Sequence, residues 1–167
     1  MISMVAIIML LVLYTVSIYT DIKYKLIKNI VTMPTILVGI FLLSYQHGLF
    51  NGIRLFGIGL ILGLLLEMFR IWASGDTKLF VAGGLLTIAI MGVADFSILF
   101  YLLAFNLFLY LIIGHVYTLS ISKFNFREYR NRLRSNQRIG QIAGAIPIFI
   151  SNFIVLGVYF LFSLLMG

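Results

Sequence analysis

The chain has 167 residues, of which 62% are hydrophobic and 10% charged, with a formal net charge of +7 and a mean hydropathy of +1.14. A soluble domain is about half apolar and a quarter charged, so water cannot solvate this chain on all sides, and the class that remains is a polytopic membrane protein. It contains no cysteine, which excludes disulfides, Cys-ligated zinc, iron–sulfur clusters and thiol catalysis.

A helix needs about 20 apolar residues to cross the hydrocarbon core. The first such segment runs from Ile2 to Tyr19. No basic residue precedes it and no small-x-small cleavage site follows, so it reads as a retained helix rather than a signal peptide. The second runs from Ile30 to Tyr45, the third from Ile53 to Phe69, the fourth from Leu79 to Ala94 and the fifth from Ile98 to Tyr117. The sixth, Ile139 to Leu165, holds Pro147, which predicts a kink or a short re-entrant stretch over Gly144 to Pro147. The pairs Gly59/Gly63 and Gly140/Gly144 have the spacing that lets helix backbones approach closely. The expected fold is all-α: a single membrane-embedded bundle of about six transmembrane helices over residues 1–167.

The charges orient it. Lys23, Lys25 and Lys28 follow the first segment, Arg70 and Lys78 follow the third, and Lys123, Arg127, Arg130, Arg132, Arg134 and Arg138 follow the fifth. Only Arg54, among the 12 Lys and Arg, lies elsewhere. These are alternate connections, so they share one side of the membrane, and the positive-inside rule makes that side cytoplasmic. Both termini are then expected outside. The clustered bases point to anionic lipid, with no nucleic-acid partner expected. Within residues 122–138, Phe126, Tyr129 and Leu133 are spaced to share one helical face among arginines, as in a helix at headgroup level. A purely topogenic basic loop is the alternative.

There are five acidic residues. Asp95 falls in an outer connection and Glu128 among the arginines, where solvation or pairing is expected. Glu67 ends the third segment close to Arg70, which predicts a local ion pair. Asp21 and Asp76 differ. Asp21 follows the first segment and Asp76 precedes the fourth. The chain crosses the membrane twice between them, so both are expected at the cytoplasmic edge of the bundle. Two adjacent carboxylates cannot both ionise easily and share a proton. The ionised one activates a water, while the protonated one polarises a carbonyl and later protonates the leaving amine. Such a pair needs no metal or other cofactor. Asp76, opening a helix where free N–H groups favour an anion, is expected to be the base, and Asp21, closing one, the acid.

The stretches carrying these acids resemble the two signatures of the type IV prepilin peptidases. In "DIKYKLIKN", Asp21, Lys23, Ile27 and Asn29 match the first, with Lys28 in place of a proline. In "ASGDTKLF", Gly75, Asp76, Lys78 and Leu79 match the second, Gly-x-Gly-Asp-x-Lys-Leu, with Ala73 in place of its first glycine. "GAIPIFISNFIVLG", from Gly144, is similar to the Ile-Pro-containing final segment of that family. The resemblance implies a GxGD-type intramembrane aspartic endopeptidase, with Asp21 and Asp76 catalytic and Lys23, Asn29, Gly75 and Lys78 supporting. It implies as substrate a prepilin, pseudopilin or archaellin with a short basic leader, cut at the cytoplasmic face of a prokaryotic inner membrane. Gly75 would give the backbone room for an extended substrate. Larger members carry a four-cysteine insert and N-methylate the new terminus; this chain lacks both insert and cysteines, so no methyltransferase activity is expected.

Two other readings use the same residues. A small transporter or channel would use the aspartates as a proton or cation site, but transport places polar groups near the bilayer midplane. Here the spans hold few: Asn106, Asn152 and, near a border, His115, for which helix–helix hydrogen bonds are sufficient reason. A non-catalytic assembly factor would differ only in lacking activity.

Overall fold

The computed structural model describes residues 2–69, 71–127, 130 and 144–166. Six long helices occur among them: α1 (Ile2–Tyr24), α2 (Asn29–His47), α3 (Leu49–Met68), α4 (Ser74–Met91), α5 (Ser97–Ile121) and α6 (Ala145–Met166). All six contain stretches long and apolar enough to cross a membrane. The all-helical expectation, with six helices long and apolar enough to span a membrane, therefore holds for the described residues.

Helices α1 and α4 run past the hydropathy-predicted segments at the basic end. Asp21 lies inside α1, which continues to Tyr24, and α4 begins at Ser74 rather than Leu79. Hydropathy reports where hydrocarbon ends, whereas backbone hydrogen bonding carries a helix on into the interface. Pro147 falls in the first turn of α6, where its missing N–H would have no intrahelical partner. From Ala145 onward the helix is unbroken. Residues 139–143 of the expected sixth segment lie outside the described residues, as does Gly140. So do Arg70, Glu128, Tyr129 and Leu133, and with them the expected Glu67–Arg70 pair and the shared face with Phe126.

Helix α4 is the axis of the bundle. Every residue from Leu79 to Met91 is buried, as in a helix surrounded by other helices. Glycines set the approach of its neighbours. Gly59 faces Val81 and Leu99, and Gly63 faces Thr77, so α3 packs antiparallel to α4 through the predicted glycine pair. Gly83 receives the hydroxyl end of Tyr14 from α1. Gly39 of α2 lies against Leu85.

Polar groups inside the bundle bridge helices. Thr87 Oγ1 donates to Asn152 Oδ1 at 2.6 Å, joining α4 to α6, and Asn106 Nδ2 donates to Ser151 Oγ at 3.3 Å, joining α5 to α6. These are the helix–helix hydrogen bonds expected of the two asparagines. At the far end, Gln46 Nε2 and Tyr159 Oη donate to the Ala89 and Met91 carbonyls, closing the C-terminus of α4. In the connection that follows, Asp95 Oδ1 accepts from the Ser97 backbone N–H at 2.9 Å, capping α5. Hydrogen bonds from the Ser97 side chain and backbone hold the Asp95 carboxyl below its ordinary pKa. Arg54 sits over the Phe96 ring, 6.0 Å from its centroid.

Candidate active site

The register of α1 on α4 brings the two aspartates to one level. Tyr14 packs on Gly83, Asp21 lies roughly two turns beyond Tyr14, and Asp76 roughly two turns before Gly83. Two turns return a side chain nearly to the same face. Asp21 and Asp76 therefore lie near the faces along which α1 and α4 pack together.

The first residues of α6 meet both. The Ala145 N–H donates to Asp21 Oδ2 at 3.0 Å. The preceding Gly144 has its Cα against the Asp76 carboxylate, where a Cβ would fall 2.6 Å from Cγ. Covalent geometry then puts Asp21 Oδ2 and Asp76 Cγ no more than about 10 Å apart. Asp21 is 7% exposed. Asp76 sits in the first turn of α4 and reaches back, Oδ2 accepting from the Ala73 N–H at 2.9 Å.

Both carboxylates line an open cavity of about 740 Å³ at this end of the bundle. Its walls are the α1–α2 connection from Lys25 to Lys28 with Asn29 at the start of α2, Ile71 and Ala73 of the α3–α4 connection, residues 74–76 and Lys78 of α4, Tyr110 of α5, and Gly144. The rim carries three ammonium groups, Lys25, Lys28 and Lys78, beside the two acids. Lys78 Nζ donates to Asn29 Oδ1 at 2.9 Å, joining the start of α4 to the start of α2 across the cavity.

Most of the expected site residues therefore meet: Asp21, Asp76, Asn29, Gly75 and Lys78 all line the cavity. Lys23 does not. It follows Asp21 by two helical positions, roughly 200° around the axis, and turns outward to Tyr19 Oη at 3.0 Å and over the Tyr24 ring. Lys25, one turn after Asp21 and in the left-handed region at φ 55°, lines the cavity in its place. The space that Gly75 leaves is taken by Ile27, whose Cβ would be 3.1 Å from a Cβ there. Its bare Cα thus serves the packing of one connection on the other rather than room for an extended chain.

Two departures from the signatures leave the backbone undisturbed. Lys28, at φ −78° and ψ 129°, has the conformation a proline ring enforces. Ala73, at φ −89°, does not need the left-handed region that would call for glycine. The expected division into base and acid loses its electrostatic basis, because Asp21 also lies at a helix N-terminus, that of α6.

Sequence reasoning did not find Gly144, Ala145 or Tyr110 as site residues. Gly144 and Ala145 open the segment that resembles the family's final one, but neither they nor Tyr110 carry a chemical group that marks a site, and only the placement of α6 and α5 beside α1 and α4 brings them in. No family model matches the chain, and neither the curated proteins nor the solved structures contain a match to it.

Proposed function

We propose that the chain is a membrane aspartic endopeptidase of the prepilin-peptidase kind, with Asp21 and Asp76 as its acid–base pair. The observation that carries this reading is the convergence of two carboxylates from different helices on consecutive residues, Gly144 and Ala145, in an open cavity. In the proposed reaction one aspartate is protonated and the other ionised. The ionised carboxylate removes a proton from water as the water oxygen bonds to the scissile carbonyl carbon. The protonated carboxyl gives its proton to the carbonyl oxygen. When the C–N bond breaks, the proton now on the first aspartate goes to the leaving amine, and the hydroxyl proton of the tetrahedral intermediate returns to the second. The pair ends as it began.

The substrate that fits is a prepilin-like protein with a short basic leader followed by an apolar helix, because its scissile bond lies where hydrocarbon gives way to water. The leader is cationic and so is the rim, so the apolar segment, docked among the helices, supplies most of the binding. On this reading the basic end faces the cytoplasm across a prokaryotic inner membrane, both termini face out, and no methyl transfer accompanies cleavage.

The same orientation gives the basic turn after α5 a partner. Phe124 and Phe126 are each 74% exposed beside exposed Lys123 and Arg127, which suits aromatic insertion at the headgroups with the cations on anionic lipid. The protein should unfold at higher temperature in phosphatidylglycerol nanodiscs than in phosphatidylcholine nanodiscs, and Lys123→Gln/Arg127→Gln should narrow that difference.

The direct test is incubation of the purified protein with a prepilin-like substrate. A mobility shift that mass spectrometry assigns to leader removal, lost in both Asp21→Ala and Asp76→Ala, is the expected result. Cleavage retained by either variant removes the pair from the chemistry. Proton-coupled uptake into vesicles without cleavage would favour the transporter reading.

A further inference from the structure

Thr77, next to Asp76, behaves unlike Thr15 and Thr35. Thr15 and Thr35 return their hydroxyls to the carbonyl one turn back on their own helix, at 2.8 and 2.7 Å. Thr77 Oγ1 instead leaves α4 for α3, within 3.1 Å of both the Gly63 carbonyl oxygen and Glu67 Oε2. Its methyl is held as well: a Cβ at Gly63 would fall 2.6 Å from Thr77 Cγ2. A β-branched side chain has little χ1 freedom in a helix, and Thr77 is 2% exposed. Both branches are therefore fixed on α3, and with them the rotation of the first turn of α4, which sets where Asp76 points.

Glu67 is poorly placed for stability alone. An acid within a membrane helix is costly, and this one lies in the last turn of α3, where the helix dipole disfavours it. Among the described residues, its Oε2 receives the Thr77 hydroxyl of α4. We propose that Glu67 and Thr77 are a positioning pair for Asp76: the acceptor on α3 fixes the Thr77 rotamer, and Thr77 fixes the phase of the turn that holds the carboxylate against Gly144, beside the Ala145 N–H that Asp21 accepts from. This rests on the peptidase reading for its consequence in catalysis, but the geometric claim stands apart from it.

The chain's lack of cysteine allows both parts to be measured. In the first arm, Thr77→Val, Thr77→Ser, Glu67→Leu and Glu67→Gln are assayed for leader cleavage. Thr77→Val and Glu67→Leu should lower kcat about tenfold or more with KM within about twofold, as for a misplaced reacting group. Thr77→Ser keeps the hydroxyl and Glu67→Gln keeps the accepting oxygen, so both should recover most of the rate. In the second arm, Asp21→Cys/Asp76→Cys protein is treated with a short bis-maleimide, with and without Thr77→Val, at matched thermal stability. Cross-linking should fall in the valine variant and return with serine. Cross-linking unchanged by Thr77→Val overturns the proposal, whatever the first arm gives. A protein whose cross-linking responds as expected but which cleaves nothing keeps the positioning pair and loses the peptidase reading.

Discussion

The tightest contact in the site offers a test with a matched control. Gly144 lies against Asp76 such that a Cβ there would be 2.6 Å from Cγ and 2.9 Å from Oδ2. Carbon atoms rest at about 3.5–4.0 Å, so Gly144→Ala forces the carboxylate, or the start of α6, to retreat by about 1 Å. A displacement of that size at a reacting group costs on the order of 10²-fold in rate. Gly157, on the same helix, has nothing within 4 Å of an added Cβ, so Gly157→Ala makes the same chemical change with no displacement. Initial rates of leader cleavage in detergent or nanodiscs, with thermal unfolding measured in parallel, separate the two. The expected result is a loss of 10- to 100-fold in kcat/KM for Gly144→Ala and a near wild-type rate for Gly157→Ala. Equal rates in the two variants would mean that Asp76 does no chemistry or that the contact with Gly144 is not made.

Further outcomes follow from other contacts. Gly83→Ala drives a methyl into the Tyr14 hydroxyl and should destabilise the bundle by about 1–3 kcal/mol, the usual cost of overpacking. Adding Tyr14→Phe removes the obstructing oxygen, so the double variant should be more stable than Gly83→Ala alone; a chemical-unfolding double-mutant cycle reads the coupling. Lys78→Met breaks the bond to Asn29 across the cavity and should lower kcat several-fold, an effect Asn29→Ala should reproduce without adding to it. Asp95, held below its ordinary carboxyl pKa by the Ser97 hydrogen bonds, contributes stability that is complete above the unfolded value and lost as pH falls through the lower folded one. Melting temperatures of wild type and Asp95→Ala should therefore converge as the pH is lowered below about 4.

Six helices were legible because each hydrophobic segment is long enough to cross a bilayer, and hydropathy needs nothing more. Their ends were not legible at the site. Hydropathy starts the fourth segment only at Leu79, yet Asp76 in the first turn of α4 bonds back to the Ala73 N–H, a helix-start arrangement that hydropathy cannot detect. Motif spacing made Lys23 a site residue because it reads along the chain, whereas α1 continues through Tyr24 and rotates Lys23 away while bringing Lys25 round. The level shared by Asp21 and Asp76 followed from counting crossings. That the two meet the same end of α6 depends on how α1, α4 and α6 pack, and one sequence does not state which helices are neighbours. Gly144 and Ala145 carried no chemical signal at all, since their contribution is a bare Cα and a backbone N–H. Thr77 was in view throughout, but only the approach of α3 at Gly63 gives its hydroxyl something to do.

The central claim is that Asp21 and Asp76 act as one unit on one water. Cleavage rates of Asp21→Asn, Asp76→Asn and the double variant measure this directly, because residues acting as a unit give grossly non-additive losses. Each single variant is expected to fall to background, with the double no slower than either. Additive partial losses, or one aspartate dispensable, would contradict the shared mechanism.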